Sequence, residues 1–424
     1  MSTPAGDGSR ILVRKYGGSS LSSVERIRDV AAQIAALHAE GYRLVVVVSA
    51  MGHTTDELNR LAAQVSPDPP RRELDMLLSV GERISMSLLS MALEELGCPA
   101  ISYTGSQCGL ITDESHTAAE ILEVRPDRVR RSLDAGHVVV VAGFQGVSRQ
   151  REITTLGRGG SDATAVALAA ALGAECCEIC KDVDGVFTAD PHRLGEARRY
   201  ATLSYDDLET LTAAGSEVVH PRAVAYARRH GVPLRITSSF HTAPGTRVGP
   251  RTTTVPAGAS DRGRTESPAA LRGRPLGLVT ADRQALLELA ADAGPLGERW
   301  RAVLRRDLPA DCPVYEAGTW GPEGFRWWLI GPDTLLARLA ERLPRPGAGD
   351  DATFRLRRGL ALLTLAGRPP HHWPAVLETA RRHLQEAQVT DWSCRSDTTG
   401  LRFLVPPAAA DRLAAALHTA FLAE

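Results

Sequence analysis

Lysine is almost missing from this chain. Of 49 basic side chains in 424 residues, only Lys15 and Lys181 are lysine. A coding bias accounts for the arginines but leaves open why lysine stands at those two places. Long apolar runs are missing as well: the longest aliphatic stretch, residues 44–48, falls far short of the roughly 20 residues a membrane span needs. Residues 1–9 are small and polar, with no apolar leader core, so no membrane association is expected. A net charge of −1 gives no reason to expect nucleic acid or an anionic surface as partner. Seven cysteines, an odd number without framework spacing, fit reduced thiols in a cytoplasm. Cys176, Cys177 and Cys180 share one apolar stretch with no second ligand cluster nearby, which reads as buried strand and not as a metal site.

What is present points to a layered α/β protein. The length exceeds one ordinary core, and 43% apolar with 23% charged residues is ordinary globular composition. In the first half, short β-rich runs alternate with helical periods. Strands are expected at 11–14, 44–48 and 138–142. Val24, Ile27, Val30, Ile34 and Leu37 mark one helical face. A long helix is expected over 72–96, and another over 163–172 closed by Gly173. Segments 175–180, 206–214, 223–230 and 234–237 continue the alternation. Residues 238–275, rich in Gly, Pro, Thr, Ser and Arg, read as a linker or loose crossover. Beyond them a strand (360–365), a helix (373–388), two strands (389–394, 401–405) and a helix (408–421) suggest a βαββα unit, and 276–343 reads in a similar order.

Four segments carry chemistry. Lys15-Tyr16-Gly17-Gly18-Ser19-Ser20 follows a strand and precedes a helix. Two glycines let N–H groups approach an anion and Lys15 adds a positive charge, though such turns are often only turns. Thr154-Thr155-Leu156-Gly157-Arg158-Gly159-Gly160-Ser161-Asp162 opens a helix. Ser161 could serve there merely as N-cap, but the fork of Arg158 between glycines suits a carboxylate gripped by two parallel bonds. Glu82 shares a stripe with Leu74, Leu78, Ser85 and Leu89, so a carboxylate lies on an apolar face and needs a partner, which a ligand's ammonium would supply. Lys181-Asp182-Val183-Asp184-Gly185-Val186-Phe187-Thr188-Ala189-Asp190-Pro191 follows a strand; alone it could be an Asp-Gly turn, and with the others it reads as a nucleotide loop.

Together with Ser49-Ala50-Met51-Gly52, Gly81-Glu82-Arg83, Gly143-Phe144-Gln145-Gly146 and His220-Pro221-Arg222, these segments resemble, in order, the catalytic domain of aspartokinases in the amino-acid kinase superfamily. The resemblance implies a three-layer α/β fold with an open, mainly parallel sheet, followed by paired ACT-like α+β modules. It places a catalytic domain at 1–247, a linker at 248–275 and two degenerate modules at 276–424. It further implies ATP-dependent phosphorylation of the side-chain carboxylate of L-aspartate, with Mg²⁺ carried by the nucleotide, no protein-bound metal, and a homodimer formed through the modules. Lys15, Arg158 and Asp162 would be catalytic. Ser49, Thr55, Glu82, Arg158, Gly159, Gly160 and Ser161 would hold the substrate, Glu82 at its amino group and Arg158 at its α-carboxylate. Lys15, Tyr16, Gly17, Gly18, Ser19, Lys181, Asp182, Phe187, Thr188, Ala189, Asp190, Pro191 and Glu217 would hold the nucleotide.

Two features depart from the family. Lys181 stands where Thr or Ser is usual, and Glu217 where Lys is usual, which reads as an exchange of charge across the nucleotide site, with Lys181 expected to pair with Glu217. In the tail, the effector-binding loops correspond to Ala293-Gly294-Pro295 and to Arg368-Pro369-Pro370-His371-His372-Trp373, with no Asn-Ile match. Trp327, Trp328 and Trp373 suit packing better than recognition of a polar effector, so weak or absent lysine and threonine feedback is expected. A kinase for another acidic amino acid, and a non-catalytic regulatory homologue, are the competing readings.

Overall fold

The computed structural model describes residues 10–250, 255–256, 275–291, 295–308, 315–321, 324–347, 352–367, 373–397 and 399–423. They form two compact units. The first contains the described residues up to Val186, then Arg199–Thr212 and the described part of Glu217–Arg262. The second takes Phe187–Arg198, Ala213–Ser216 and the rest of the described chain.

In the first unit the chain runs β1 (Ile11–Tyr16), α1 (Val24–Ala39), β2 (Arg43–Val48), α2 (Thr54–Val65), α3 (Arg71–Leu78) and α4 (Val80–Glu95). It continues through β3 (Ala100–Tyr103), β4 (Leu110–Thr112), β5 (Ile121–Val124), α5 (Asp127–Asp134), β6 (Val138–Ala142), β7 (Gln145–Ser148) and β8 (Ile153–Thr155). Then come α6 (Gly160–Leu172), β9 (Cys176–Lys181), β10 (Tyr200–Ser204), α7 (Tyr205–Ala213), α8 (Pro221–His230), β11 (Leu234–Ser238), β12 (Thr246–Gly249) and β13 (Val255–Pro256).

Nine strands make one sheet in the order β13-β10-β12-β11-β9-β1-β2-β6-β3. Its central stretch from β11 to β3 is parallel throughout, the mainly parallel architecture expected. Successive side chains of a strand point to opposite faces. Leu12 and Tyr16 of β1, Leu44, Val46 and Val48 of β2, and Val138 and Val140 of β6 pack with Ile27, Ile34, Leu89 and Leu93 of α1 and α4. The alternate residues face α6, whose side chains are buried nearly all round, as befits a helix against a sheet. β12 is a correction to the sequence reading: the start of the expected linker region pairs antiparallel with β11 and parallel with β10.

The helix expected over 72–96 is two helices. The Gln145 Nε2 amide donates to the Ser79 carbonyl at 2.8 Å, so that oxygen is spent on a tertiary bond at the break. The break sets Glu82 in the first turn of α4.

The second unit bears out the internal repeat. β14 (Gly277–Ala291), α9 (Pro295–Asp307), β15 (Tyr315–Gly321), β16 (Gly324–Pro332) and α10 (Asp333–Arg342) are followed by the same order. That second copy is β17 (Ala352–Ala366), α11 (Trp373–Glu386), β18 (Ser393–Ser396), β19 (Gly400–Val405) and α12 (Pro407–Phe421). The two copies share one six-stranded sheet, β15-β16-β14-β17-β19-β18, joined where β14 and β17 pair from Gly277↔Ala366 to Ala291↔Ala352. The expected strand at 389–394 starts later, because Val389 N bonds back to the Leu384 carbonyl and Gln388 takes φ +56°, a helix exit. Each copy packs its own helices: Trp300 and Leu336 on Leu287 and Leu329, Leu384 and Leu413 on Leu363 and Phe403. The expected effector loops fall outside the described residues except for Pro295 and Trp373.

Candidate active site

The parallel strands β9, β1, β2 and β6 end side by side, and their carboxyl ends are where open α/β sheets place ligands. Lys15, next to last on β1, faces α6. Its Nζ lies 2.8 Å from Asp162 Oδ1, with both side chains almost fully buried. Burial by itself would raise the Asp162 carboxyl, but the charge of Lys15, then that of Lys181, carries it down to about 2. Asp162 Oδ2 accepts a further bond from the His220 main-chain N–H at 3.2 Å. Asp162 also occupies the first turn of α6, where the helix dipole favours a negative charge. The side chain is therefore held as a carboxylate and grips Lys15 in place.

Gly17 and Gly18 form the turn beyond β1, and a short 3-10 turn, Ser19–Leu21, separates them from α1. The helix begins at Val24, where its periodic face was expected to start, and is capped by Ser23. A side chain at Gly18 would lie 2.9 Å from the Ala50 carbonyl, so glycine is what lets the 49–52 loop close over the turn. The Tyr16 ring is buried on the opposite face from Lys15, in the core under α1, so only its main chain borders the turn.

Glu82 is 3% exposed, as its place on the apolar stripe implied. Its Oε1 accepts from Ala50 N at 3.1 Å, while Oε2 has no partner among the described residues. Burial pushes its pKa up to about 7, against the lowering effects of backbone N–H groups and of Lys15. A buried carboxyl with an idle oxygen and a cation in its field is suited to an incoming ammonium. Ser49, half-buried, follows β2 and donates its N–H to the Tyr16 carbonyl. Thr55, also half-buried, is the second residue of α2.

The glycine loop ahead of α6 is held from the other side. Gly159, not Ser161, is the N-cap, with φ +75°. A Cβ there would strike the His220 ring at 2.0 Å, so both conformation and space demand glycine. Arg222 Nη1 donates to the Leu156 carbonyl at 3.2 Å. Gly160 and Ser161 are buried in the first turn of α6, Ser161 against Gly143. Arg158, in this glycine loop, is exposed.

At the end of β9, Lys181 is half-buried, and its Nζ donates to the Glu217 main-chain carbonyl at 3.5 Å. The Glu217 side chain is exposed and makes no ion pair with it, which corrects the expected side-chain pairing. Asp182 is exposed. Phe187, Thr188, Ala189, Asp190 and Pro191, expected in the nucleotide loop, are counted with the second unit. There Thr188 Oγ1 lies 2.9 Å from His418 Nε2, and Ala189 is buried with Leu278 and Leu413. Asp190 Oδ1 accepts from His192 N at 2.9 Å.

Three participants were given no role in the sequence reading. Ala50 and His220 contribute main-chain N–H groups, which every residue type but proline carries. Asp75, fully buried, accepts from Thr155 Oγ1 at 2.5 Å and from Thr117 N, and meets His116 Nδ1 at 2.6 Å, bracing the strand that leads into the glycine loop. It lies on the apolar stripe one turn from Leu78, the same signal that exposed Glu82.

The model of the amino acid kinase family matches residues 10–238. An aspartokinase of Corynebacterium efficiens is 56% identical over 239 residues, which is 56% of this chain and 57% of that protein. The match thus spans little more than half of that relative's length. The solved aspartate kinase of Synechocystis is 37% identical with a TM-score of 0.52, covering 97% of this chain and 69% of that one. E. coli aspartokinase III, solved in complex with aspartate and ADP, shares the fold at 22% identity, with a TM-score of 0.70 over 96% of this chain and 99% of that one. The chain belongs to the amino acid kinase family and, within it, groups with the aspartokinases.

Proposed function

We propose that this protein transfers the γ-phosphoryl group of ATP to the side-chain carboxylate of L-aspartate. The observation that carries the reading is Glu82, a buried carboxyl with one oxygen idle, in the field of a lysine locked to Asp162. Glu82 would take the amino group of the substrate and Arg158 its α-carboxylate, leaving the side-chain carboxylate to turn towards Lys15. That carboxylate is ionised at neutral pH, so no general base is required. In-line positioning and neutralisation of charge on the moving phosphoryl group do the chemistry. Lys15 and the N–H groups of the Gly17-Gly18 turn would stabilise that charge, and Asp162 would keep Lys15 oriented. Ser49, Thr55, Gly159, Gly160 and Ser161 would shape the acceptor side.

Among the described residues no three His, Cys, Asp or Glu side chains converge as a metal site. Asp162 has its two oxygens facing Lys15 and the His220 N–H. These residues suit Mg²⁺ brought by the nucleotide phosphates, where it would neutralise phosphate charge. Dimerisation through the second unit, a cytoplasmic location and weak or absent feedback by lysine and threonine belong to the same reading.

A coupled ADP-release assay with aspartate, with glutamate and without acceptor tests it. Release that depends on aspartate is expected. Release with glutamate alone would move the substrate to another acidic amino acid, and no release at all would leave a non-catalytic homologue.

A further inference from the structure

We propose that Lys181 is a second phosphate-directed cation, set beside Lys15 across Asp162, which holds a part of the polyphosphate that Lys15 does not. The proposal rests on the kinase reading above and adds a residue that the family does not supply at this position.

The register places it. β1 and β9 are parallel neighbours with Lys15 opposite Ile179. Side chains alternate along a strand, so Ile179 and Lys181 share the face that Lys15 uses. That face meets the first turn of α6, where Asp162 sits. The chain's only two lysines therefore converge on one buried carboxylate, while its other 47 basic residues (49 less these two) are arginine.

The charges then do not balance. Lys15 already occupies Asp162 at 2.8 Å. The charged groups whose fields reach Lys181 are Asp162, Lys15, Asp182 and Glu217. Asp182 and Glu217 keep their side chains in solvent, and neither forms an ion pair with it. Its one polar contact among the described residues is the long bond to the Glu217 carbonyl, which aims the ammonium without neutralising it. Burial lowers the Lys181 pKa, so the site as it stands disfavours the charge it carries. Two ammonium groups around one carboxylate leave one positive charge over, and a half-buried surplus charge favours an anion. Glu82 and Arg158 already answer the charged ends of an amino acid, so the anion for Lys181 is on the nucleotide side. A compact ammonium acting as a point charge suits a phosphate oxygen.

Calorimetry on the full-length chain tests this with ATP, AMP and inorganic tripolyphosphate as separate titrants. The samples are wild type, Lys181→Met, which keeps the length of the side chain, and Lys181→Thr, which does not. Both variants are expected to weaken ATP and tripolyphosphate at least about tenfold while AMP stays within about twofold. Unchanged ATP and tripolyphosphate affinity would overturn the proposal, and so would an equal loss for AMP, which would mean a distorted loop. Aspartate-dependent ADP release on the same samples separates the two readings. A wild type that binds tripolyphosphate through Lys181 but releases no ADP refutes the kinase reading alone. An active wild type whose variants bind normally refutes the role of Lys181 alone.

Discussion

The two units of this chain handle buried charge in opposite ways. In the first, Lys15, Glu82, Asp162 and Asp75 are all in the interior, and an oxygen of Glu82 is left idle. In the second, the ion pairs run along the surface, among them Arg193 with Asp411, Arg358 with Asp333 and Arg357 with Asp391. Its buried cation, Arg402, is answered within its own hairpin by Asp397 and Thr399. Burying charge is costly, and a fold keeps an incompletely satisfied one where a ligand will complete it. Under the proposed function the chemistry belongs to the first unit, while the second is a repeated packing unit whose ion pairs named above lie along its surface.

The sharpest way to break that contrast is Lys15→Ala, which should lower kcat by about 100-fold or more while nucleotide still binds. Near-normal turnover would mean that the buried ion pair is structural. Next comes Glu82→Gln, which should raise KM for aspartate by at least about tenfold and leave KM for ATP little changed. In wild type, KM for aspartate should rise as pH falls through about 7, since the protonated carboxyl cannot hold an ammonium; a pH-independent KM would sink the assignment. The same shift has a stability consequence. The folded pKa lies above the unfolded one, so the folded state binds the proton more tightly and stability falls as pH rises from about 4.5 to about 7. Glu82→Gln should therefore melt higher than wild type at pH 8, with the gap closing towards pH 4.5.

Arg158→Ala should follow, with KM for aspartate raised about tenfold and the melting temperature unchanged, because the side chain is exposed. A smaller effect is expected from Thr188→Val. It removes the bond to His418 and should cost about 1 kcal/mol of stability. A rise in KM for ATP well beyond twofold would instead return Thr188 to the nucleotide loop. Smallest of all, millimolar lysine plus threonine should leave the rate unchanged; strong inhibition would show that the second unit does hold an effector site, since feedback requires coupling between two sites.

Much of the fold was legible in advance because parallel strands buried on both faces read as unbroken aliphatic runs, and residues 44–48 and 138–142 do. The βαββα order of the tail was legible from its periods, although the fusion of both copies into one sheet was not, since pairing of β14 with β17 is a long-range choice. Glu82 stood out because a carboxylate on an apolar stripe is a visible anomaly. The break at Ser79 was hidden, because it depends on Gln145, distant in sequence. The buried pair of Arg14 and Glu178, in register across β1 and β9 at 2.7 Å, was hidden for the same reason.

Local periodicity and residue chemistry thus determined by themselves the layered class, the glycine turns and the presence of a cationic cradle with a carboxylate nearby. Tertiary structure alone decided which charges meet. It locked Lys15 to Asp162, aimed Lys181 by a carbonyl instead of a carboxylate, and counted Thr188 and Ala189 with the second unit. The reason is physical: spacing along a strand or helix sets which face a side chain takes, but its partner is set by the strand or helix that folding lays against that face.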